Sequence, residues 1–332
     1  MENWIYPKKL KPGMTIAFLA PATGTEEDLS VLESICQERG YQAIFAPSSY
    51  RRGLYGGTEE ELIQELNQYL TDDSCQAVVC LRGGYGTMRY LDKLDYKAIA
   101  QARKAFVGYS DVTALHLAIQ KECHMISYHG PMGVDWIKSQ DQAKAGSPEA
   151  QASYQKDLDA LFDLLEGRTR VIEPLPEPPR GNIGTQLGEG TLIGGNMTLL
   201  AMMAGTPWGL DSYSEAELAD TILFLEDVGE APYKLDRMLQ QLRLQGILSK
   251  IKGIAFGSFL ACEGDEDEAD YDIGYAALRY MEEGRSEDYD EPFVCYLPTG
   301  HGTPHQAIPL GDRVSFRYIS NTLILMPYCK DE

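Results

Sequence analysis

Residues 105–119 read Ala105-Phe106-Val107-Gly108-Tyr109-Ser110-Asp111-Val112-Thr113-Ala114-Leu115-His116-Leu117-Ala118-Ile119. A short apolar run ends at a glycine, a polar turn follows, and apolar residues then resume. The stretch predicts a strand, a sharp turn and a helix. The same order occurs twice more toward the N-terminus. Thr15-Ile-Ala-Phe-Leu-Ala is closed by Pro21 and Gly24, and a helix is predicted over residues 26–39, with Leu29, Leu32, Ile35 and Cys36 apolar and Gly40 as its stop. Ala77-Val-Val-Cys-Leu comes next, followed by Gly83-Gly84-Tyr85-Gly86 and a helix predicted from Thr87. Repeated βα units predict an α/β fold whose parallel sheet offers ligand sites at the carboxyl ends of its strands.

Beyond this region the composition changes. From Asp135 to Gly190 the chain is rich in Gln, Ala, Ser and Pro, with one helix-like stretch over residues 158–165 and the linker-like Pro174-Leu-Pro-Glu-Pro-Pro-Arg. The reading is an N-terminal α/β domain over residues 1–135, a linker region over 136–185 and a C-terminal domain over 186–332. The last of these holds strand candidates at Thr221-Ile-Leu-Phe-Leu, Ile254-Ala-Phe-Gly, Phe293-Val-Cys-Tyr-Leu, Val314-Ser-Phe-Arg-Tyr and Thr322-Leu-Ile-Leu-Met, with one helix predicted over 234–245. It is therefore expected to be the smaller, strand-rich partner.

The 332 residues, 44% of them hydrophobic, are enough for two packed cores. Fifty acidic residues against 29 basic ones give a net charge of −21, which repels phosphate backbones and anionic lipid, so neither nucleic acid nor a membrane is expected as a partner. No apolar stretch approaches the length of a span and the first residues carry no secretory h-region, which points to the cytoplasm. The seven cysteines form no CxxC pair and sit in strand-like or helical runs, as buried thiols do, which argues against a disulfide framework or a zinc site. The acidic run from Glu263 to Asp272 lacks the glycine of a calcium loop, since Asp270 occupies that position when counted from Asp265. No metal and no cofactor is expected.

The residues that could carry chemistry cluster at predicted strand ends. Ser110 stands between a strand and a helix, where a hydroxyl is exposed and nearby N–H groups can face a developing oxyanion. The GxSxG pattern is incomplete, because Val112 occupies the second glycine position, and the Ser-Asp pair equally reads as a helix N-cap. The glycines of Arg82-Gly83-Gly84-Tyr85-Gly86 allow close backbone approach to an anion, as an oxyanion hole or a phosphate cradle, although the Walker signature is missing and a plain tight turn has the same appearance. Phe224-Leu225-Glu226-Asp227 ends an apolar strand with a carboxylate that needs a cation or a histidine N–H. Asp227 and Glu230 are neighbouring alternatives, and an ion pair to Arg237 is the simpler explanation. A general base must come from five histidines. His116 and His124 have the surroundings of structural residues, while His301, flanked by Gly300 and Gly302, is favoured over His129 by its loop position.

Taken in order along the chain, Leu81-Arg-Gly-Gly-Tyr-Gly-Thr-Met-Arg, Phe106-Val-Gly-Tyr-Ser-Asp-Val-Thr-Ala-Leu, His129-Gly-Pro, Gly194-Gly-Asn-Met-Thr-Leu-Leu, the segment from Leu223 to Leu239 and Leu297-Pro-Thr-Gly-His-Gly resemble the LD-carboxypeptidase family of serine peptidases. That family includes muramoyl-tetrapeptide carboxypeptidases and microcin C self-immunity peptidases. The resemblance implies a flavodoxin-like N-terminal domain, a C-terminal domain that supplies Glu and His, and a homodimer. Matched residue by residue, it implies Ser110 as nucleophile, Glu226 as orienter and His301 as base, with backbone amides of Asp111 and Gly84 as oxyanion donors. Gly83, Tyr85 and Asn196 are candidates for substrate binding, and Asn196 is equally readable as a left-handed turn residue. The implied reaction is release of terminal D-alanine from cytoplasmic murein tetrapeptides through an acyl-enzyme. The alternatives are cleavage of peptidyl or aminoacyl nucleotide analogues, for which Trp208 could stack on a base, and a non-catalytic anion- or peptide-binding protein.

Overall fold

The computed structural model describes residues 4–146, 148–168, 180–181, 186–264, 270–287, 289–319 and 322–327. The elements of the N-terminal half run β1 (Thr15–Leu19), α1 (Ser30–Glu38), β2 (Gln42–Phe45), α2 (Glu59–Thr71), β3 (Ala77–Cys80), α3 (Tyr96–Ala102), β4 (Ala105–Gly108), α4 (Thr113–Cys123), β5 (Ser127–His129), α5 (Gly133–Ala145) and α6 (Pro148–Leu165). They continue with β6 (Arg180–Gly181), β7 (Gln186–Asn196), α7 (Met197–Met202), α8 (Glu215–Ala219), β8 (Thr221–Val228), α9 (Pro232–Leu244), β9 (Gly253–Leu260), α10 (Ile273–Glu282), β10 (Phe293–Tyr296), β11 (Ile308–Leu310), β12 (Arg313–Ile319) and β13 (Thr322–Pro327). The chain divides into two compact units, Met1–Arg168 with Pro304–Gly311, and Thr169–Thr303 with Asp312–Glu332.

In the first unit the sheet order is β11-β5-β4-β3-β1-β2. β1 to β5 pair in parallel, the order 5-4-3-1-2 being that of a flavodoxin-like doubly wound sheet, and β11 adds an antiparallel edge in which Ile308 faces His129. β3, β4 and β5 are buried along their length and β1 from Ile16 onward, as strands covered by helices on both faces are, while β2 at the edge is only half-buried. Phe18 of β1 meets Trp136 edge-to-face at 5.5 Å, and Trp136 lies 5.8 Å from Phe162. These contacts put α5 and α6 in the core of this unit. They occupy residues 133–145 and 148–165, so much of the stretch read as a linker is helical; its polar outer faces hide the apolar positions that are buried, among them Trp136, Ile137, Leu158, Leu161, Phe162, Leu164 and Leu165. The proline-rich segment 174–179 lies outside the described residues.

Two helix expectations need correction. α1 starts at Ser30, since the Thr25 hydroxyl accepts the Glu27 N–H and Asp28 accepts the Ser30 N–H, local bonds that hold this stretch in turns. After Gly86, at φ +132°, there is no helix but two three-residue 3-10 turns, Thr87–Arg89 and Leu91–Lys93, interrupted by Tyr90 at φ −139°. Thr87 directs its N–H to the Asp111 carboxylate (2.9 Å) and Tyr90 directs its hydroxyl to the carbonyl of Pro21 (2.5 Å), tertiary bonds that override helical continuation.

The second unit holds a seven-stranded sheet of order β13-β12-β7-β8-β9-β10-β6. β7 to β10 run parallel in the succession β7-β8-β9-β10, and β12 and β13 extend the sheet antiparallel. Every strand anticipated in this half is present. The eleven-residue β7 is added to them, its glycines at 188, 190, 194 and 195 having hidden it. A Cβ on Gly194, which adopts φ +144°, would fall 1.9 Å from the Phe224 carbonyl oxygen, so β7 reaches β8 this closely only as glycine.

Candidate active site

Ser110 sits where β4 gives way to α4, in the left-handed region at φ +63°. A residue with a Cβ pays roughly 1–2 kcal/mol to be there, a strain that persists only when the surroundings over-determine it. Crowding is part of that determination. A Cβ on Gly83 would lie 2.7 Å from Ser110 Cβ, 2.9 Å from Ser110 Oγ and 3.4 Å from the Asp111 nitrogen. Backbone from the glycine loop therefore lies directly against the hydroxyl. Gly84, at φ +113°, leaves no room for a side chain beside Thr23, whose hydroxyl accepts the Tyr85 N–H (3.3 Å) and donates to the Leu54 carbonyl (2.8 Å). The Tyr85 ring is 54% exposed and 6.0 Å from Tyr55. Below this loop, Tyr55, Leu62, Gly86, Arg89 and Tyr90 line a cavity of about 590 Å³.

Asp111 ties the serine turn to the glycine loop. Its buried carboxylate accepts the Thr87 N–H at 2.9 Å, and its carbonyl accepts the Thr87 hydroxyl at 2.7 Å. Burial raises its pKa above the usual carboxylate range, opposed by the N–H groups of Thr87 and Gly86. His116 supports the turn from beneath: Nε2 meets the Gly108 carbonyl at 2.9 Å and Nδ1 meets the Ser127 hydroxyl at 2.8 Å. A carbonyl only accepts, so Nε2 carries the proton and Nδ1 receives the serine O–H. Burial pushes the His116 pKa down to about 4, keeping the ring neutral and structural.

His129, the rival base, is completely buried in β5. Its ring centroid lies 5.6 Å from that of Tyr109 and 5.7 Å from that of His305, so it belongs to the packed interior of the first unit.

The second unit contributes a carboxylate and an imidazole. Glu226 is fully buried near the end of β8, and its Oε2 accepts Nδ1–H of His301 at 2.6 Å and the His301 backbone N–H at 3.3 Å. A carboxylate that holds Nδ1–H leaves Nε2 as the basic nitrogen. The pairing depends on an irregularity in β9. Between Leu225 and Asp227 the β8–β9 register shifts, so that Glu226 stands opposite two residues, Gly257 and Ser258. A Cβ on Gly257 would fall 2.9 Å from Glu226 Cβ and 2.6 Å from the Thr299 carbonyl oxygen, which makes glycine the residue that lets the loop approach. Ser258 then holds that loop at two points: its N–H donates to the Thr299 carbonyl (2.8 Å), and its hydroxyl accepts the Gly302 N–H (2.7 Å). Ser258 escaped the sequence reading, because a bulge that re-aims a side chain has no period to detect. The unusual Gly-Ser in the middle of an apolar strand was its one trace.

The alternatives to Glu226 have other partners. Asp227 accepts Asn196 Nδ2–H, the Thr198 N–H and the Thr198 hydroxyl, each at 2.9 Å. Glu230 pairs with Lys234 at 2.9 Å, and Arg237, once the simpler partner for Glu226, lies over the Tyr233 ring instead. Asn196 is 4% exposed and caps α7, its Oδ1 accepting the Leu199 N–H at 3.1 Å while Nδ2 holds Asp227. Its φ of −64° and ψ of 126° are those of an N-cap and not of a left-handed turn. Both ends of the side chain expected to meet substrate are thus engaged within its own unit. Six cysteines of the described residues are buried free thiols, and no group of three or more metal-ligating side chains occurs among the described residues. No helix among them is long and apolar enough to cross a membrane.

The two units have counterparts in known proteins. Residues 16–130 match the LD-carboxypeptidase N-terminal domain and residues 189–316 the LD-carboxypeptidase C-terminal domain. The murein tetrapeptide carboxypeptidase of Pseudomonas aeruginosa is 31% identical over 303 residues, covering 89% of this chain and 91% of its own. Among solved structures, the muramoyltetrapeptide carboxypeptidase of Oxalobacter formigenes is 30% identical with a TM-score of 0.73, over 94% of this chain and 98% of that one. The microcin C7 self-immunity protein MccF, in complex with aspartyl sulfamoyl adenosine, shares the fold at a TM-score of 0.78 and 19% identity, over 98% of both chains. With both of its units matched by the family's two domains, and a relative above 30% identity along nearly its whole length, the chain belongs to the LD-carboxypeptidase family of serine peptidases.

Proposed function

We propose that this enzyme is an LD-carboxypeptidase that removes the terminal D-alanine from murein tetrapeptides in the cytoplasm, with Ser110 as nucleophile, His301 as general base and Glu226 as the residue that orients it. The observation that carries the reading is the 2.6 Å bond from His301 Nδ1 to a carboxylate with no exposure to solvent. A buried carboxylate there fixes one tautomer and stabilises the imidazolium that forms when Nε2 takes a proton. The left-handed Ser110 is the other support, since a hydroxyl held on a strained strand-to-helix turn is presented for attack. The chain crosses from the second unit to the first between Thr303 and Pro304, two residues beyond His301, so the proposed base is carried next to the crossing.

In this reaction the Ser110 oxygen attacks the carbonyl carbon of the amide between the third residue and D-alanine, and its proton passes to His301 Nε2. The amides of Asp111 and Gly84 are the proposed donors to the oxyanion. Collapse breaks the C–N bond as His301 returns the proton to the leaving amine, and D-alanine departs from an acyl-enzyme. Water, deprotonated by His301, then attacks the ester and restores the Ser110 hydroxyl. The enzyme would work as a homodimer on a small peptide that Gly83 and Tyr85 help to bind.

The test is mass spectrometry of purified protein incubated with murein tetrapeptide. Loss of one alanine residue supports the reading, and an unchanged tetrapeptide overturns it. An aminoacyl sulfamoyl adenylate run in competition addresses the second substrate class, because the shared fold with MccF accommodates such ligands there. Faster turnover of the adenylate would transfer the assignment to the self-immunity branch.

A further inference from the structure

The strain at Ser110 requires a restraint on each side of it. On the C-terminal side Asp111 is tied to Thr87. On the N-terminal side stands Tyr109, a side chain only 8% exposed in an extended backbone at φ −159°. Its ring meets His305 edge-on, centroids 4.5 Å apart and planes at 82°, and its hydroxyl reaches Asp135 Oδ1 at 3.2 Å. Both partners are themselves anchored. Asp135 Oδ2 accepts the Met132 N–H at 2.8 Å at the start of α5, and His305 donates its backbone N–H to Asp157 of α6 at 3.0 Å. One aromatic residue therefore joins the end of β4 to the start of α5 and to the segment leading into β11, and the next residue in the chain is the strained serine.

We propose that Tyr109 is a positioning residue for the nucleophile, clamped by His305 and Asp135 so that the backbone on its C-terminal side holds Ser110 in the left-handed conformation. This rests on the assignment of Ser110 as nucleophile. His305 and the neighbouring His129, two of the five histidines, then serve the chemistry through packing, as walls of the Tyr109 socket. With the clamp loosened, Ser110 relaxes toward ordinary backbone angles and its hydroxyl leaves the attack position. A displacement of about 1 Å costs a nucleophile on the order of 100-fold in rate.

The experiment compares wild type, Tyr109→Leu and Tyr109→Phe by the rate at which a fluorophosphonate labels Ser110, alongside kcat and KM on murein tetrapeptide and a thermal melt. Tyr109→Leu removes ring and hydroxyl and is expected to slow labelling and kcat by the same factor, about 10- to 100-fold, with KM within twofold. Tyr109→Phe keeps the ring against His305 and is expected to recover labelling to within about fivefold of wild type. Should the Leu variant fail to fold, the Phe variant is read together with Asp135→Asn, which weakens the same hydrogen bond; the expected result is that the double variant labels no more slowly than the slower single one. Labelling at the wild-type rate in Tyr109→Leu, additive losses in the double variant, or a raised KM with unchanged kcat overturns the proposal. Failure of the wild type to label at Ser110 overturns the nucleophile assignment, and this inference with it.

Discussion

At the end of β4 the backbone itself is distorted: Ser110 occupies the left-handed region and Gly83 lies so close that a methyl group has no place. Near the end of β8 the distortion is handed to glycine, with Gly300 at φ +112°, while the side chains carry the burden as a solvent-free carboxylate held to an imidazole. One region stores conformational strain and the other stores electrostatic cost. The difference follows from what the proposed mechanism asks of each group. A serine hydroxyl has no charge to orient it, so backbone geometry has to aim it. An imidazole is aimed by a hydrogen bond, and the strength of that bond grows as water is excluded.

The largest test of this contrast removes the groups themselves. Ser110→Ala and His301→Ala are each expected to lower kcat by a factor on the order of 10⁴ or more, and the double variant to be no worse than either single one, because residues that act as a unit lose their function together. Steady-state kinetics decides this. If His129→Ala abolishes activity and His301→Ala does not, the electrostatic half of the comparison has been placed on the wrong residue. Next in size are the glycine contacts. Gly83→Ala puts a methyl 2.7–2.9 Å from the serine side chain and Gly300→Ala puts one 3.0 Å from Glu226 Oε2 at a positive φ. Each is expected to cost about 100-fold in kcat and roughly 1–3 kcal/mol of stability, measured by turnover and urea unfolding.

A pH titration sharpens the comparison within the first unit. His116 is neutral in the folded protein down to about pH 4, whereas in the unfolded chain it gains a proton near the ordinary imidazole value of 6.5. Below 6.5 the unfolded state therefore binds more protons, and stability falls as pH falls until the folded-state value near 4 is reached. The expected loss is about 3 kcal/mol across that window, with a slope that His116→Gln flattens in urea unfolding at a series of pH values. The smallest effect isolates the strain. Ser110→Gly is expected to stabilise the protein by about 1 kcal/mol while abolishing phosphonate labelling, since glycine accepts φ +63° without penalty. Ser110→Ala, which keeps the Cβ, is expected to show no such gain.

Much of this arrangement was legible beforehand. The three βα units declared themselves because a buried parallel strand is a continuous apolar run bounded by glycine or proline, and Ser110, Glu226 and His301 stood out by falling at the ends of such runs. Resemblance to a family, more than periodicity, gave them roles and gave the first sheet its type. What stayed hidden was tertiary. Thr87 looked like the start of a helix because nothing local reveals that its N–H is committed to Asp111, 24 residues away. Asn196 looked like a turn residue because the bond that fixes the other end of its amide, from Nδ2 to Asp227, comes from another strand. α5 and α6 read as part of a linker because most of their positions are polar or small, and the bulge at Gly257-Ser258 is a property of a pair of strands and not of either one.

The edge strand β11 has a consequence for how the polypeptide is made. Residues 304–311 complete a sheet whose other five strands all lie before residue 130, so on the ribosome the first unit waits for some 170 further residues before β5 acquires its last neighbour. Until then one margin of that sheet offers unpaired backbone groups to any extended segment nearby, including a sister chain on the same polysome. A truncation after Arg168 would keep that margin open permanently, and a gene split at the apparent boundary would yield a sticky fragment in place of an independent domain.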